Sequence, residues 1–282
     1  MVWKIRTIHE THWIVIIQYE QSMLKLTNIT LLGLDCIDIN RLIIARDICT
    51  EDIEFWSVKL LTSLESNDAD IVKIDHIDSI EKYSEFIIKK LDDYVDTDFA
   101  LIFQYDGFVL NAKNWRDDFF NYDYIGTPWI GYFEENTEQN VGNGGFSLRS
   151  KKLLEILAKD NHIKLGAPED IIISRQYRDY LENKDIKYAP EEIAGMFAIP
   201  DIMKQELEKV PWITDEQYRR YLSRKGIILD SKSGEWENQI PEAYKNGDLR
   251  WTNQFGFHYI TPGHLSIWLE KHPKYKNLIK IE

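Results

Sequence analysis

The sequence is poor in cysteine and contains no long apolar run. Its two cysteines, Cys36 and Cys49, are too few for a disulfide framework or a thiolate zinc site. No segment approaches the ~20 apolar residues that a transmembrane helix needs. Acidic and polar residues interrupt the N-terminal segment, so we do not expect a signal peptide. These features predict a cytoplasmic protein without a membrane span, and they leave peripheral membrane association through a partner open.

The chain also lacks an excess of positive charge. It has 34 Lys and Arg against 47 Asp and Glu, and its net charge is −13. A broad nucleic-acid-binding surface needs a basic face, so we expect no nucleic-acid partner. An acidic protein can still bind an anionic nucleotide through a metal ion or a helix N-terminus. The aromatic content of 13% suits stacking on sugar rings, although most such rings pack in a core.

Several common catalytic motifs are missing. There is no GK[ST] ending of a phosphate-binding P-loop, no GxGxxG fingerprint and no GxSxG nucleophile elbow. The segment His9-Glu10-Thr11-His12 has the wrong spacing for an HExxH zinc helix. The reaction classes that these motifs mark are therefore thinly supported.

Short buried strands alternate with helices in the first hundred residues, which predicts an α/β sheet with several parallel strands. A buried strand and its exit are predicted at Asn28–Ile39, and further strands at Val58–Thr62 and Ala100–Phe103. The predicted helices are Leu42–Ile48 and Ser79–Tyr94. Residues 1–26 alternate in a way that fits a strand or hairpin. After residue 107 the chain is expected to be rich in loops, and Ser150 is expected to cap a helix.

The first candidate for chemistry is the segment Gln104-Tyr105-Asp106-Gly107, which follows the predicted strand Ala100–Phe103. Ligands of open α/β sheets bind beyond the carboxyl ends of the strands. A carboxylate there can hold a divalent cation that bridges diphosphate oxygens. Asp is also a common turn residue after a strand, so a purely structural role stays open.

The second candidate is VGNGGFSLR, residues 141–149. Gly142, Gly144 and Gly145 permit positive φ and a close approach of the backbone to a ligand, and Asn143 can both donate and accept hydrogen bonds. The alternative is a tight turn between a strand and a helix.

Two further candidates lie later in the chain. Glu169 and Asp170 follow Pro168, as expected at a helix N-terminus whose dipole would keep a general base ionised near neutral pH. The alternative is that both acids only complement that dipole. His258 lies between aromatic residues and is either a packed histidine or a metal ligand shared with an acid of another segment.

Taken in order, these segments resemble a nucleotide-sugar glycosyltransferase of the GT-A fold. The blocks FQ-x-DG, YDYIG-x-PW, VGNGGFSLRS and a later ED pair are similar to those of a largely uncharacterised group of glycosyltransferase-like proteins. The resemblance covers residues 28–200 and the FGFH segment. It implies a GT-A-like, Rossmann-like mixed sheet that is mainly parallel and flanked by helices, with a C-terminal helical or loop elaboration. Residues 1–282 would form one catalytic domain, with a nucleotide-sugar-binding and catalytic core at 28–200, an acceptor-side insertion at 201–250 and a return segment at 251–282.

A more distant similarity to the β-1,4-galactosyltransferases implies roles for single residues. Asp106 looks like the metal-binding aspartate, His258 like a further metal ligand, and Asp170 like the base, with Glu169 contacting the acceptor. The expected donor and acceptor contacts are Gln104, Tyr105, Asp106, Gly107, Trp129, Asn143, Gly144, Gly145 and Phe146. Gln104 replaces the first acid of the Asp-x-Asp motif of that family, which leaves one carboxylate fewer for a cation.

The resemblance implies transfer of a sugar from a nucleotide diphosphate sugar, with a UDP-sugar favoured, to a glycan, lipid-linked sugar or glycoprotein hydroxyl. The reaction would invert configuration and be assisted by Mn²⁺ or Mg²⁺, and the nucleobase would lie near Leu34–Asp38. The replacement at Gln104 leaves open a metal-independent enzyme. Two other classes also stay open: a non-catalytic relative that binds a nucleotide sugar or glycan, and another nucleotide-dependent transferase.

Overall fold

The computed structural model describes residues 23–130, 140–199, 201–202 and 254–258. Residues 1–22 of the predicted N-terminal strand or hairpin, nearly all of the 201–250 insertion and most of the 251–282 return segment lie outside these residues. The proposed division of the chain therefore stays a prediction.

One seven-stranded sheet organises the described residues, with strand order β3-β2-β1-β4-β6-β5-β8. Its strands are β1 (Leu24–Leu34), β2 (Ile53–Thr62), β3 (Ile71–Lys73), β4 (Phe99–Phe103), β5 (Tyr124–Ile130), β6 (Val141–Ser150) and β8 (Asp201–Ile202). A separate parallel pair joins β7 (Ala198–Ile199) to β9 (Gly256–Phe257). Within the large sheet, β6 runs antiparallel to both of its neighbours, and the other pairs are parallel. The predicted mixed, mainly parallel α/β sheet is therefore confirmed.

Helices follow the strands and cover the sheet. They are α1 (Ile39–Thr50), α2 (Ile80–Lys89), α3 (Lys151–Lys159), α4 (Glu169–Ile171), α5 (Arg178–Glu182) and α6 (Glu191–Phe197), and a π-helical turn at Ile172–Gln176 joins α4 to α5. The side chains of Asp38, Ser79 and Ser150 cap α1, α2 and α3 by accepting backbone hydrogen bonds, as their residue types favour. Among the helices of the described segments, none has the length and apolar character needed to cross a bilayer.

The core lies on both faces of the sheet. The largest apolar cluster contains side chains of β1, α1, β4 and β6, and it extends to an aromatic group from later segments: Trp115, Phe119, Phe146, Phe197 and Phe255. Two smaller clusters pack α2 and α3 against the sheet. The residues just before β9 are thereby held against the main body of the domain.

The prediction of a loop-rich region after residue 107 was wrong for two segments, because β5 and β6 are sheet strands. Every residue of β6 is buried. Side chains of other segments pack so closely against its glycines that a Cβ atom there would overlap them. Gly and Pro, which are frequent in turns, favour a loop prediction for both segments. In a strand, glycine instead marks a close approach by a neighbouring group.

Candidate active site

The candidate site lies beside β1, where the order of successive strands in the sheet changes direction. From β1 the chain moves outward to β2 and β3, and it then returns to the opposite side of β1 as β4. The carboxyl ends of β1 and β4 therefore flank a topological switch point, the usual place for a ligand in an open α/β sheet. Asp35 follows β1 and Gln104 follows β4 at this edge.

The predicted Gln104–Gly107 segment forms a tight turn. The backbone N–H of Gln104 donates to the carbonyl of Gly107 at 3.0 Å, and the N–H of Gly107 donates back to Gln104 at 3.1 Å. The two intervening residues, Tyr105 and Asp106, therefore form the tip of the turn. Tyr105 is exposed, and Asp106 is partly buried.

His258 reaches this turn from a distant part of the chain. The carbonyl of Phe255 accepts from the N–H groups of Leu110 and Asn111, and the N–H of Phe255 donates to Met196 of α6. These contacts fix the short segment that precedes His258. The imidazole Nε2 then lies 3.7 Å from Asp106 Oδ1, so the structure brings the two predicted metal ligands together.

The geometry and chemistry of this pair fit a divalent cation. Asp106 Oδ1 is buried and has no hydrogen-bond partner among the described residues. One ion with bonds of ~2.0–2.2 Å can span two ligand atoms 3.7 Å apart. The described segments contain no group of three or more His, Cys, Asp or Glu residues placed to bind a metal. Mg²⁺-type sites commonly take their remaining ligands from water and substrate phosphates.

Gln104 occupies the position of the missing acid and is bonded on both sides. Its Nε2 donates to the hydroxyl of Tyr83 at 2.9 Å, and its Oε1 lies 3.0 Å from His258 Nε2. An amide oxygen only accepts, so this hydrogen bond needs a proton on His258 Nε2, and the same nitrogen must lose that proton before it can bind a cation. Tyr83 belongs to α2, and burial raises the pKa of its hydroxyl.

Gly144 and Gly145 lie between the two candidate groups of catalytic side chains. A Cβ on Gly145 would overlap the His258 ring, and a Cβ on Gly144 would overlap Glu169 Oε1 and crowd Asp170. Among the described glycines, only Gly166 has positive φ. Gly142, Gly144 and Gly145 therefore do not adopt the positive φ that their residue type permits. These glycines are needed for space, because side chains approach them closely.

Glu169 is buried on the other side of the glycine pair. Its Oε1 accepts from Arg149 Nη2 at 3.1 Å, and its backbone N–H donates to Ser84 Oγ of α2, also at 3.1 Å. Arg149 is itself fully buried. This ion pair joins β6 to α4 and fixes where the acid pair lies.

Asp170 is only partly buried, and its Oδ1 accepts from the N–H of Ile171 at 2.8 Å. Burial, with a further contribution from the charge of Glu169, raises the pKa of Asp170 to about 7. The expectation that a helix dipole keeps this carboxylate well ionised is therefore wrong. Helix α4 has only three residues before the π-helical turn, so it contributes little dipole, and desolvation has the larger effect.

Three residues of this site were not predicted from the sequence. Arg149 was part of the VGNGGFSLR block, but it was not singled out. Tyr83 and Ser84 lie in the predicted helix Ser79–Tyr94, where their residue types and spacing indicate no functional role. A signal was present in one case only: an arginine inside a strongly apolar, glycine-rich strand must find a buried partner.

The remaining predicted contact residues lie further from the turn or within the core. Trp129 is buried and packs against Gly142, and Asn143 is buried, with its Oδ1 accepting from the N–H of Gly145 at 3.2 Å. Phe146 is fully buried and stacks on Phe197 at 5.1 Å between ring centroids. Its ring therefore belongs to the aromatic part of the core.

The expected nucleobase region, Leu34–Asp38, lies beside the Gln104–Gly107 turn. Asp35 is buried and accepts from Arg41 Nε at 2.6 Å and from the N–H groups of Ile37 and Asp38. The Arg41 guanidinium stacks over the Tyr105 ring at 3.7 Å. A planar cation and an aromatic ring thus meet at the edge of the switch point.

Residues 68–211, just over half of the chain, match the model of a family described as "Protein of unknown function (DUF5672)". The matched range contains the Gln104–Gly107 turn, the glycine pair and the acid pair, whereas His258 lies beyond it. No curated protein matches the chain.

Several solved structures show remote similarity to the chain. The bifunctional IspDF from Campylobacter jejuni is 11% identical, with a TM-score of 0.38 over 58% of this chain and 49% of that protein. The glycosyltransferase GlyE from Streptococcus pneumoniae TIGR4 is 12% identical, with a TM-score of 0.42 over 90% and 64%. The mannosyltransferase PcManGT from Pyrobaculum calidifontis, solved with GDP-Man and Mn²⁺, is 10% identical, with a TM-score of 0.42 over 88% and 76%. The chain spans about half to two thirds of the length of the first two, and similarities of this size assign it neither substrate nor reaction.

Proposed function

We propose that this chain, which belongs to the DUF5672 family, is a glycosyltransferase that moves a sugar from a nucleotide diphosphate sugar to an acceptor hydroxyl. One observation carries the proposal: Gly145 packs against His258, while the adjacent Gly144 packs against Glu169 and Asp170. A pair suited to diphosphate and cation binding therefore lies one residue along β6 from a pair suited to proton transfer. Glycosyl transfer needs both functions close together.

Asp170 is the proposed general base. It deprotonates the acceptor hydroxyl, which then attacks the anomeric carbon from the face opposite the diphosphate, and this single displacement inverts the configuration. A pKa of about 7 matches a base that works near neutral pH. Glu169 is less suited to this role, because its carboxylate is buried in the ion pair with Arg149.

Asp106 and His258 are the residues that would hold Mn²⁺ or Mg²⁺, which would neutralise charge on the leaving diphosphate. The nucleobase, uracil in the favoured case, would lie near Leu34–Asp38, where Arg41 and Tyr105 offer a flat surface. The acceptor, a glycan, lipid-linked sugar or glycoprotein, would approach from the Asp170 side. We keep a cytoplasmic location as part of the proposal.

The test combines Asp170→Asn with a panel of nucleotide diphosphate sugars and glycan acceptors. Transfer should fall by about 10²–10⁴-fold, because the acceptor loses its base. Donor binding, measured as a thermal shift with and without Mn²⁺, should stay unchanged. The matched control is Glu182→Gln, which removes an acid paired with Arg178 outside the site. Full activity of the Asp170 variant would show that the base is another group.

A second candidate is a relative that binds a nucleotide sugar or glycan without transferring it. The hydrogen bonds of Gln104 favour it, since a neutral amide lies between Tyr83 and His258 where the Asp-x-Asp motif has a carboxylate. Donor binding without transfer or donor hydrolysis would support this candidate. A transferred nucleotidyl or sugar-phosphate group, detected by product mass, would instead indicate another nucleotide-dependent transferase.

A further inference from the structure

The two acids of the Glu169-Asp170 pair occupy different environments. Glu169 has 8% of its side chain exposed, and its backbone and carboxylate are bonded to Ser84 and Arg149 respectively. Asp170 retains partial exposure. A buried, ion-paired carboxylate is poorly placed to contact a glycan acceptor, which is the role that the resemblance implied for Glu169.

The contacts of Arg149 fix the position of the Glu169 carboxylate. The guanidinium is fully buried and donates from Nε to Ser147 Oγ at 3.0 Å and from Nη2 to the carbonyl of Gly144 at 3.3 Å. Its ion pair with Glu169 supplies the opposite charge that a buried guanidinium requires. Glu169 is thereby fixed against Gly144, beside Asp170.

We propose that Glu169, fixed by Arg149, is a positioning residue whose negative charge acts on Asp170 and does not contact the acceptor. This inference rests on the proposed function, because it takes Asp170 as the general base. The charge relationship between the two acids can be measured without any activity.

The charged and titratable groups around Asp170 have opposing effects. Burial raises the pKa of Asp170 most, and the charge of Glu169 raises it further. The positive charge of Arg149 on β6 lowers it, as do backbone hydrogen bonds from Ile171 and Gly144. Tyr83 of α2 and Tyr124 of β5 also face the pair, and burial raises the pKa of both hydroxyls, so both stay neutral. Glu169 is thus the one of these neighbours whose negative charge opposes ionisation of Asp170.

The experiment is a pH titration of the ¹³C-labelled aspartate carboxyl groups by NMR, with Asp170 assigned from the signal lost in Asp170→Asn. In the wild-type protein Asp170 should titrate near neutral pH. In Glu169→Gln, which keeps the size of the side chain, the midpoint should fall by about one pH unit. Arg149→Lys keeps the positive charge and should titrate close to wild type, and Glu182→Gln should leave the midpoint unchanged. If Glu169→Gln does not fold, the double variant Glu169→Gln/Arg149→Met leaves neither buried charge unpaired, and its midpoint should still fall, because Glu169 affects Asp170 more than Arg149 does.

The pH dependence of kcat/KM then distinguishes failure of the positioning role from failure of the proposed function. The acidic limb of the kcat/KM profile in Glu169→Gln should move to lower pH with the NMR midpoint, while the KM for the acceptor stays the same. An unchanged midpoint, or an unchanged limb with a raised acceptor KM, would overturn the positioning role. A shifted midpoint in a protein that is inactive with every donor would support the carboxylate relationship and reject the glycosyltransferase function.

Discussion

Gly145 and the imidazole of His258 are in such close contact that a single methyl group between them would overlap the ring. The contact joins β6 to a residue more than one hundred positions later in the chain. It also fixes the distance between the Asp106–His258 pair and the acid pair behind Gly144. The Asp106–His258 pair and the Glu169-Asp170 pair can both pack closely against β6 because Gly144 and Gly145 have no side chains.

Gly145→Ala should displace His258 without breaking the strand. The φ of Gly145 is not positive, so alanine is compatible with its backbone, and the ring must move instead. We expect Mn²⁺-dependent donor affinity to fall by about tenfold or more, measured by calorimetry. The control is a double-mutant cycle, because Gly145→Ala should add little once His258→Ala has removed the ring. Fully additive losses would contradict the contact as the cause.

Gln104→Asp should strengthen cation binding. It restores the carboxylate of the Asp-x-Asp motif on the side chain that lies beside His258 and Tyr83. We expect Mn²⁺ affinity to increase by about tenfold, because cation affinity depends on the number of charged ligands. Gln104→Asn, which stays neutral, is the matched control. Equal Mn²⁺ affinities for both variants and the wild type would show that the side chain at position 104 does not contact the cation.

Residue type and local periodicity alone predict part of the fold and part of the candidate site. The strands before Asp35 and Gln104, the Ser150 cap and the four candidate segments were all recognisable from residue type and periodicity. The strands β5 and β6 were not recognisable, because Gly and Pro have a low preference for strands. The side chains that pack against these glycines come from distant parts of the sequence. The environment of Asp170 also depends on Arg149 and Tyr83, whose approach is a tertiary property that local sequence does not reveal.

Arg41→Ala should weaken nucleotide binding. Arg41 is anchored by the buried Asp35 and stacks on the exposed Tyr105 ring beside the proposed cation site. Loss of its charge and its flat surface should lower the affinity for a nucleoside diphosphate by about tenfold, measured by calorimetry. Arg116→Ala removes an arginine whose ion pair with Asp118 lies outside the site, and it should have no effect. Equal affinities in the two variants would exclude Arg41 from the nucleotide site.

Asp170→Asn should stabilise the fold at alkaline pH and not at acidic pH. In the unfolded chain Asp ionises near pH ~3.9, whereas in the folded protein the pKa of Asp170 is about 7. Between these values the folded state keeps a proton that the unfolded state has released, so wild-type stability falls as pH rises through this window. Above it, the buried charge of Asp170 costs the wild type about 2–4 kcal/mol of unfolding free energy. Urea unfolding at pH 8 should show the variant as the more stable protein by that amount, and at pH 4 the two should nearly coincide. A stability difference of equal size at both pH values would mean that packing, and not the charge of Asp170, is its source.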